Sequence, residues 1–304
     1  DLMFPILSGN VASATAVSIT YNDEGIFAYG NTGGLVSMSN LVSNVGVVSD
    51  DVAGVGTTRS GLTACEYGGD KGICGFGYSG SATAVTNLVS NVGVVSSDTA
   101  GVGTARMYLA ACEYGVDKGI FGFGYSGSQT AVTNLVSNVG VVSTDTVGVG
   151  TARHQLAACE YGGDKGIFGY GEINQQMTNL VSNVGVVSAD VAGVGTARSS
   201  PSACSYGGDK GIFGYGVDSY VGTKHSMTNL VSNVGVVASD VAGVGTGRTA
   251  SAACEYGQDK GIFGYGYVTG YVSMTNLVSN VGVVSDDVAG VGTDRGYLAG
   301  CSFN

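Results

Sequence analysis

The string NLVSNVGVV occurs six times in this chain, beginning at Asn40, Asn87, Asn134, Asn179, Asn229 and Asn276, with spacings of 47, 47, 45, 50 and 47 residues. Nothing else restricts the fold as tightly, because a short unit repeated in tandem buries its apolar face against its own copies. Two further landmarks keep the same phase. One is an Asp ahead of GIF or GIC (Asp23, Asp70, Asp117, Asp164, Asp209, Asp259), the other an Arg closing GTxR (Arg59, Arg106, Arg153, Arg198, Arg248, Arg295). The chain therefore reads as one domain, 1–304, built of repeats at approximately 14–59, 60–106, 107–153, 154–198, 199–248 and 249–295, with a closing strand at 298–303.

Each unit reads as four short strands, a to d. In the repeat at 199–248 these are SACSYG (202–207), GIFGYG (211–216), MTNLVS (227–232) and GVVAS (235–239), bounded by Gly, Asn and Asp turn signals. Helix is disfavoured throughout: 54 of the 304 residues are Gly, and each costs a helix about 1 kcal/mol. A hydrophobic content of 44% still supports a packed core. Four-stranded units of this length predict an all-β fold, a six-bladed β-propeller of four-stranded antiparallel blades. Strand a recurs a seventh time, as AVSITY (16–21) and LAGCSF (298–303), while residues 1–8 fall in phase with a strand d. The termini are accordingly expected to share a blade and latch the ring, which removes exposed sheet edges. An open superhelical stack, or a longer chain with more blades, would give the same letters.

The segment GTARHQLAACEYGGDKGIFGYG from Gly150 resembles kelch repeats in its rhythm of Arg, Ala, small strand and Gly-ended apolar strand. It departs from them in lacking paired glycines after strand b and a later Trp. The runs DKGIFGYG, NLVSNVGVV and GVGTAR are similar to those of uncharacterised repetitive proteins of marine phages and environmental viruses, over about residues 20 to 300. That resemblance implies a virion or extracellular surface location and carries no activity.

In a meandering blade the a–b and c–d turns share one face, while the b–c loops and d–a connections share the other. The first set is nearly constant (GGDK, GVDK, GQDK; SNVG in all six copies), and the differences concentrate on the second. The b–c loops run from NTGGLVS to VDSYVGTKHS, and the d–a loops read SGL, MYL, HQL, SSP, TAS and GYL. Loops on a rigid frame are where binding residues live. The candidate ligand-binding residues are thus Tyr78, Tyr108, Tyr125, Asn174, Gln175, Tyr220, His225, Tyr267, Tyr271 and Tyr297. Tyrosine supplies contact area at little entropic cost, which suits a saccharide or a protein partner. Neutral drift of loops after duplication would leave the same pattern.

Charge narrows the partners. A formal charge of −11 repels phosphate backbones and anionic lipid, so neither nucleic acid nor membrane insertion is expected. No apolar run reaches the ~18 residues of a membrane helix. The start at Asp1, without a basic and apolar leader, suggests a processed or trimmed N-terminus.

Catalytic and metal motifs are sparse. His154 and His225 stand in different repeats with no ligand-spaced Cys or His, and read as exposed loop residues. Glu66, Glu113, Glu160 and Glu255 share one position on strand a and invite comparison with a glycosidase carboxylate pair. Repeat symmetry argues against it, since the two carboxylates of such a pair need different environments. Asp51, Asp98, Asp145, Asp190, Asp240 and Asp287 could offer oxygens to Ca²⁺, yet they match ordinary turn chemistry. No catalytic residue, metal or cofactor is assigned.

Cys65, Cys112, Cys159, Cys204, Cys254 and Cys301 share a repeat position and read as small buried fillers. Cys74 stands where other copies have Phe. A four-residue a–b loop, Gly68 to Lys71, would set Cys65 opposite Cys74; the pair is then either a disulfide in oxidising surroundings or a smaller side chain in the Phe slot. Along GIFGYG the alternation sets Phe and Tyr on one side, so rings from one blade lie over glycine of the next. The Arg of GTxR is expected to tie one blade to carbonyls of its neighbour. The favoured reading is a non-enzymatic recognition module of a phage or virus surface, binding a host glycan or another virion protein. A secreted bacterial lectin or adhesin and, remotely, a glycoside hydrolase are the alternatives.

Overall fold

The computed structural model describes residues 23–172 and 175–303. Among them there is no helix; the chain forms eighteen strands in six three-stranded antiparallel sheets. In chain order these are β1 (Glu24–Asn31), β2 (Leu35–Val42), β3 (Thr63–Tyr67), β4 (Lys71–Gly75), β5 (Thr86–Val89), β6 (Ala110–Tyr114), β7 (Lys118–Gly122), β8 (Thr133–Val136) and β9 (Ala157–Tyr161). They continue as β10 (Lys165–Gly171), β11 (Gln175–Val181), β12 (Ser202–Tyr206), β13 (Lys210–Gly214), β14 (Thr228–Val231), β15 (Ala252–Tyr256), β16 (Lys260–Tyr267), β17 (Tyr271–Val278) and β18 (Ala299–Phe303). The second to sixth sheets are consecutive triplets from β3–β5 to β15–β17, while the first is ordered β18-β1-β2. Strand β18 thus fills the place of strand a beside β1, pairing Cys301 with Ile26 and Phe303 with Glu24. AVSITY and residues 1–8 lie outside the described residues. The arrangement is consistent with a six-bladed propeller.

Strand d differs from expectation. The segment after each c–d turn makes two isolated bridges to strand c, as in Val231 with Val237 and Thr228 with Val241, and no continuous ladder. The sequence itself interrupts it. In the first sheet Ser49 N–H donates to Leu41 O, but Ser49 Oγ accepts the Leu41 N–H at 2.9 Å, so a side chain replaces the next ladder bond. The following Asp turns away to meet the neighbouring sheet.

The a–b hairpin also differs. Tyr67 pairs with Lys71 and Cys65 with Ile73, leaving a three-residue loop, Gly68–Asp70. Gly68 and Gly69 both take left-handed φ, 69° and 76°, which lets the turn close one residue earlier. Cys74 then lies opposite Ala64, and Cys65 and Cys74 are free thiols with no bridge between them.

Apolar clusters fill the six junctions between sheets. Each is built on glycine. A Cβ placed on Gly169 would stand 2.7 Å from Phe213 of the next sheet, and one on Gly166 would meet the Cys112 sulfur. The aromatic after the second Gly does not continue the alternation. Tyr29, Phe76, Phe123, Tyr170, Tyr215 and Tyr265 all have φ between 61° and 65°, a bulge that turns the ring to the other side of the strand. Phe76 therefore meets Phe121 of the next sheet edge-on at 5.1 Å, as Tyr170 meets Phe213 at 5.2 Å. The junction of the first and second sheets departs from this pattern in both partners: Ala28 replaces the glycine, Cys74 replaces the phenylalanine, and the two share one cluster. Cys74 there packs in the same cluster as Cys301 of β18.

Polar contacts lock the same junctions. Arg106, fully buried, lies 4.3 Å over the Phe76 ring of its own sheet. It donates from Nε to Phe123 O at 2.8 Å and from Nη2 to Asn134 Oδ1 at 2.7 Å in the next. Thr104 donates from its backbone N–H and Oγ1 to Asp145. The sixth and first sheets are joined likewise, by Thr293 to Asp51 and Arg295 to Asn40 and Tyr29.

Candidate functional site

The strand-a series β3, β6, β9, β12, β15 and β18 are neighbours in order, with β18 also against β3. Residues of all six line small spaces along their length. At the variable end, the d–a residues Gly61, Tyr108, Gln155, Ser200, Ala250 and Tyr297 all take left-handed φ between 47° and 59°. They are chained by backbone hydrogen bonds: Tyr108 N–H to Gly61 O, Gln155 to Tyr108, Ser200 to Gln155, Tyr297 to Ala250 and Gly61 to Tyr297, at 2.7 to 2.9 Å. These residues rim a cup of about 70 Å³ floored by Leu62, Leu109, Leu156, Pro201 and Leu298.

Tyrosines spread outward from this rim. Tyr108 and Tyr297 meet edge-on at 5.8 Å above Gly61, where a Cβ would stand 2.8 Å from the Tyr108 ring. His154 continues the row, 6.1 Å from Tyr108 and 5.3 Å from Tyr125. On the other side Tyr271 packs on Tyr267 at 5.4 Å and donates its hydroxyl to Asn31 Oδ1 at 3.0 Å. Burial raises the pKa of Tyr108. Tyr78 is held by backbone bridges to Ser60 and Ala82.

Five of the expected residues, Tyr108, Tyr125, Tyr267, Tyr271 and Tyr297, are thus brought together, and Tyr78 is not among their ring contacts. Gln175 on β11, Tyr220 and His225 are not among their ring contacts. Tyr220 is exposed at the tip of a turn held by Asp218. His225 is half-buried, its Nε2 unpartnered and its pKa lowered by burial and by Arg198. Asn174 lies outside the described residues.

His154 is a correction. It is 9% exposed, and its Nε2 lies 3.0 Å from Glu172 Oε2, which also accepts from Gln129 Nε2 at 3.2 Å. Burial pushes its pKa below the usual 6.5 while Glu172 opposes the shift. A neutral ring donating from Nε2 leaves Nδ1, buried and unpartnered, as an acceptor. Glu172 occupies the repeat position of Tyr78 and Tyr125. His154 and Glu172 stand at variable positions of the same repeat, each residue type found at its position in that copy alone, and that coincidence was the available signal.

At the constant end of these strands, Glu66, Glu113, Glu160 and Glu255 line a space of about 50 Å³, well below the ~300 Å³ of small-molecule pockets. Burial, then repulsion from Glu66, raises Glu160 to about 8; Glu113 and Glu255 are pushed well up by the same causes. Ser302 N–H donates to Glu66 at 3.1 Å, and Glu160 Oε1 is buried without a partner. The Asp51 series accepts from Thr and Asn at the junctions, as Asp98 does from Thr57 and Asn87. Among the described residues no three His, Cys, Asp or Glu side chains are grouped to hold a metal ion. Compared with protein-family models and with curated proteins, the chain matches none.

Proposed function

We propose that this chain is a closed six-bladed β-propeller acting as a non-enzymatic recognition module of a phage or virus surface, and that it binds a host surface glycan through its tyrosine-bearing face. Closure is supported by β18 pairing with β1 and by the Thr293–Asp51 contact. The observation that carries the binding reading is the continuous row Tyr297, Tyr108, His154, Tyr125 flanked by Glu172 and Gln129. Aromatic faces stack on sugar C–H groups, while the carboxylate, amide and imidazole match hydroxyls. The row is made entirely from diverged loops, on a frame whose other loops are uniform. The small volume around the glutamates favours recognition over hydrolysis.

A glycan array probed with the whole chain tests this. At least one glycan class should be retained, and Tyr108→Ala or Glu172→Gln should weaken it about tenfold, the loss of one well-placed contact. Silence across the array, or binding indifferent to both changes, would overturn the proposal.

A further inference from the structure

The constant face carries a feature that glycan binding does not use. Each SNVGV turn exposes two valines, from Val45 and Val47 in the first sheet to Val281 and Val283 in the sixth, all between 62% and 70% exposed. Single exposed apolar residues are ordinary, but contiguous apolar patches on one face mark interaction surfaces. Valine is also poorly suited to a turn, where Gly, Asn, Asp and Ser dominate. Yet all six copies keep it.

These turns are held rigidly. Ser43 N–H donates to Val47 O and Ser43 Oγ accepts the Val47 N–H, with the same Ser Oγ contact in the other five turns. A Cβ on Gly46 would strike Tyr256 of the preceding sheet, so the turn is backed by a packed ring. The valines are pre-organised, and little entropy is lost on covering them.

The same face is electrically neutral in five of its six units. Asn138 Nδ2 donates to Asp117 Oδ2, which places the c–d and a–b turns side by side. There Lys71, Lys118, Lys165, Lys210 and Lys260 are each paired with the Asp before them. In the remaining unit the same positions are Asp23 and Glu24, both acidic.

We infer that the constant face binds a second copy of this chain, face to face through the valine turns. A partner that covers six equivalent patches must itself present a repeating surface, and this chain does. The five internally paired Asp–Lys couples make the face self-compatible, since each presents both signs to the same couples of a second copy and only Asp23 and Glu24 add like charge. Twelve valines about two-thirds exposed offer apolar area on the order of 1,000 Å², comparable to the ~800 Å² per partner of a standard interface. Such a dimer turns both tyrosine faces outward and makes the particle bivalent. The inference is independent of what those faces bind.

Sedimentation of the intact 30.3 kDa chain tests it. A dimer is expected at micromolar concentration, persisting in high salt, and Val45→Asp, Val139→Asp and Val234→Asp combined should yield a folded monomer. Hydrogen exchange at the six turns of the unmodified chain, slowed on concentration, reads the same contact if the triple variant fails to fold. A chain that stays monomeric to about 100 μM, or a dimer unmoved by the three aspartates, would overturn it.

Discussion

Thr293 and Asp51, 242 residues apart, make the same two-point contact that joins the other adjacent sheets: backbone N–H and hydroxyl of the threonine on one carboxylate. Thr104 and Asp145 are an internal equivalent. Asp51→Ala should cost about 1.5–3 kcal/mol, the range for hydrogen bonds to a charged group. In a closed ring Asp145→Ala costs the same. Guanidinium denaturation that found the first change silent and the second damaging would mean that the last-to-first junction bears no load.

Glycine at the junctions is a packing requirement. Gly169→Val drives two added methyls toward the Phe213 ring and should destabilise by about 1–3 kcal/mol. Gly34→Ala, with no atom within 4 Å of the new carbon, is the control. Equal melting temperatures for the two variants would contradict the ring-on-glycine packing.

Arg106 serves two sheets at once. Arg106→Lys keeps the charge but cannot reach both Phe123 O and Asn134 Oδ1. Each buried acceptor left unmade costs about 1–3 kcal/mol. A lysine variant as stable as the parent would remove the arginine from the account of the junction.

Val116 has φ 74° where three other repeats have Gly (Gly69, Gly163, Gly208), and it is 56% exposed. A left-handed β-branched residue is strained by roughly 1–2 kcal/mol, so Val116→Gly should raise the unfolding midpoint. A lowered midpoint would show that the valine is held by a contact.

Stability should pass through a maximum in mildly acidic solution. Glu160, raised from 4.5 to about 8, holds in the folded chain a proton that the unfolded chain releases. Its contribution is complete below about 4.5 and is lost as pH climbs through about 8. The junction aspartates run the other way: hydrogen bonds from Thr and Asn lower Asp51 and Asp145 below 3.8 against the opposing effect of burial, so their contribution fades as pH falls through that lowered range. Denaturation midpoints should fall between pH about 5 and 9, less steeply in Glu160→Gln. A flat profile in the parent would refute the buried-proton account.

Much of this architecture is legible in the letters, because three strands and the arginine recur in phase and phase alone aligns them. What is not legible is local. The hairpin is one residue shorter than expected because Gly68 and Gly69 both take left-handed φ. The aromatic of strand b changes sides through a bulge that apolar alternation cannot announce. The fourth strand dissolves where Ser49 Oγ takes a ladder position. The tyrosine cluster was readable as loop divergence, whereas the His154–Glu172 pair depends on two loops meeting in space.

Ala28 and Cys74 give the junction of the first two sheets its own shape. Five sheets built almost alike could dock in the wrong order while the chain folds, skipping a neighbour or closing too soon. A phenyl ring arriving at the first sheet would meet a methyl where it needs bare backbone, so that sheet accepts the one unit whose phenylalanine position carries a thiol instead. A single mismatched pair thus tells an otherwise uniform chain where its count begins.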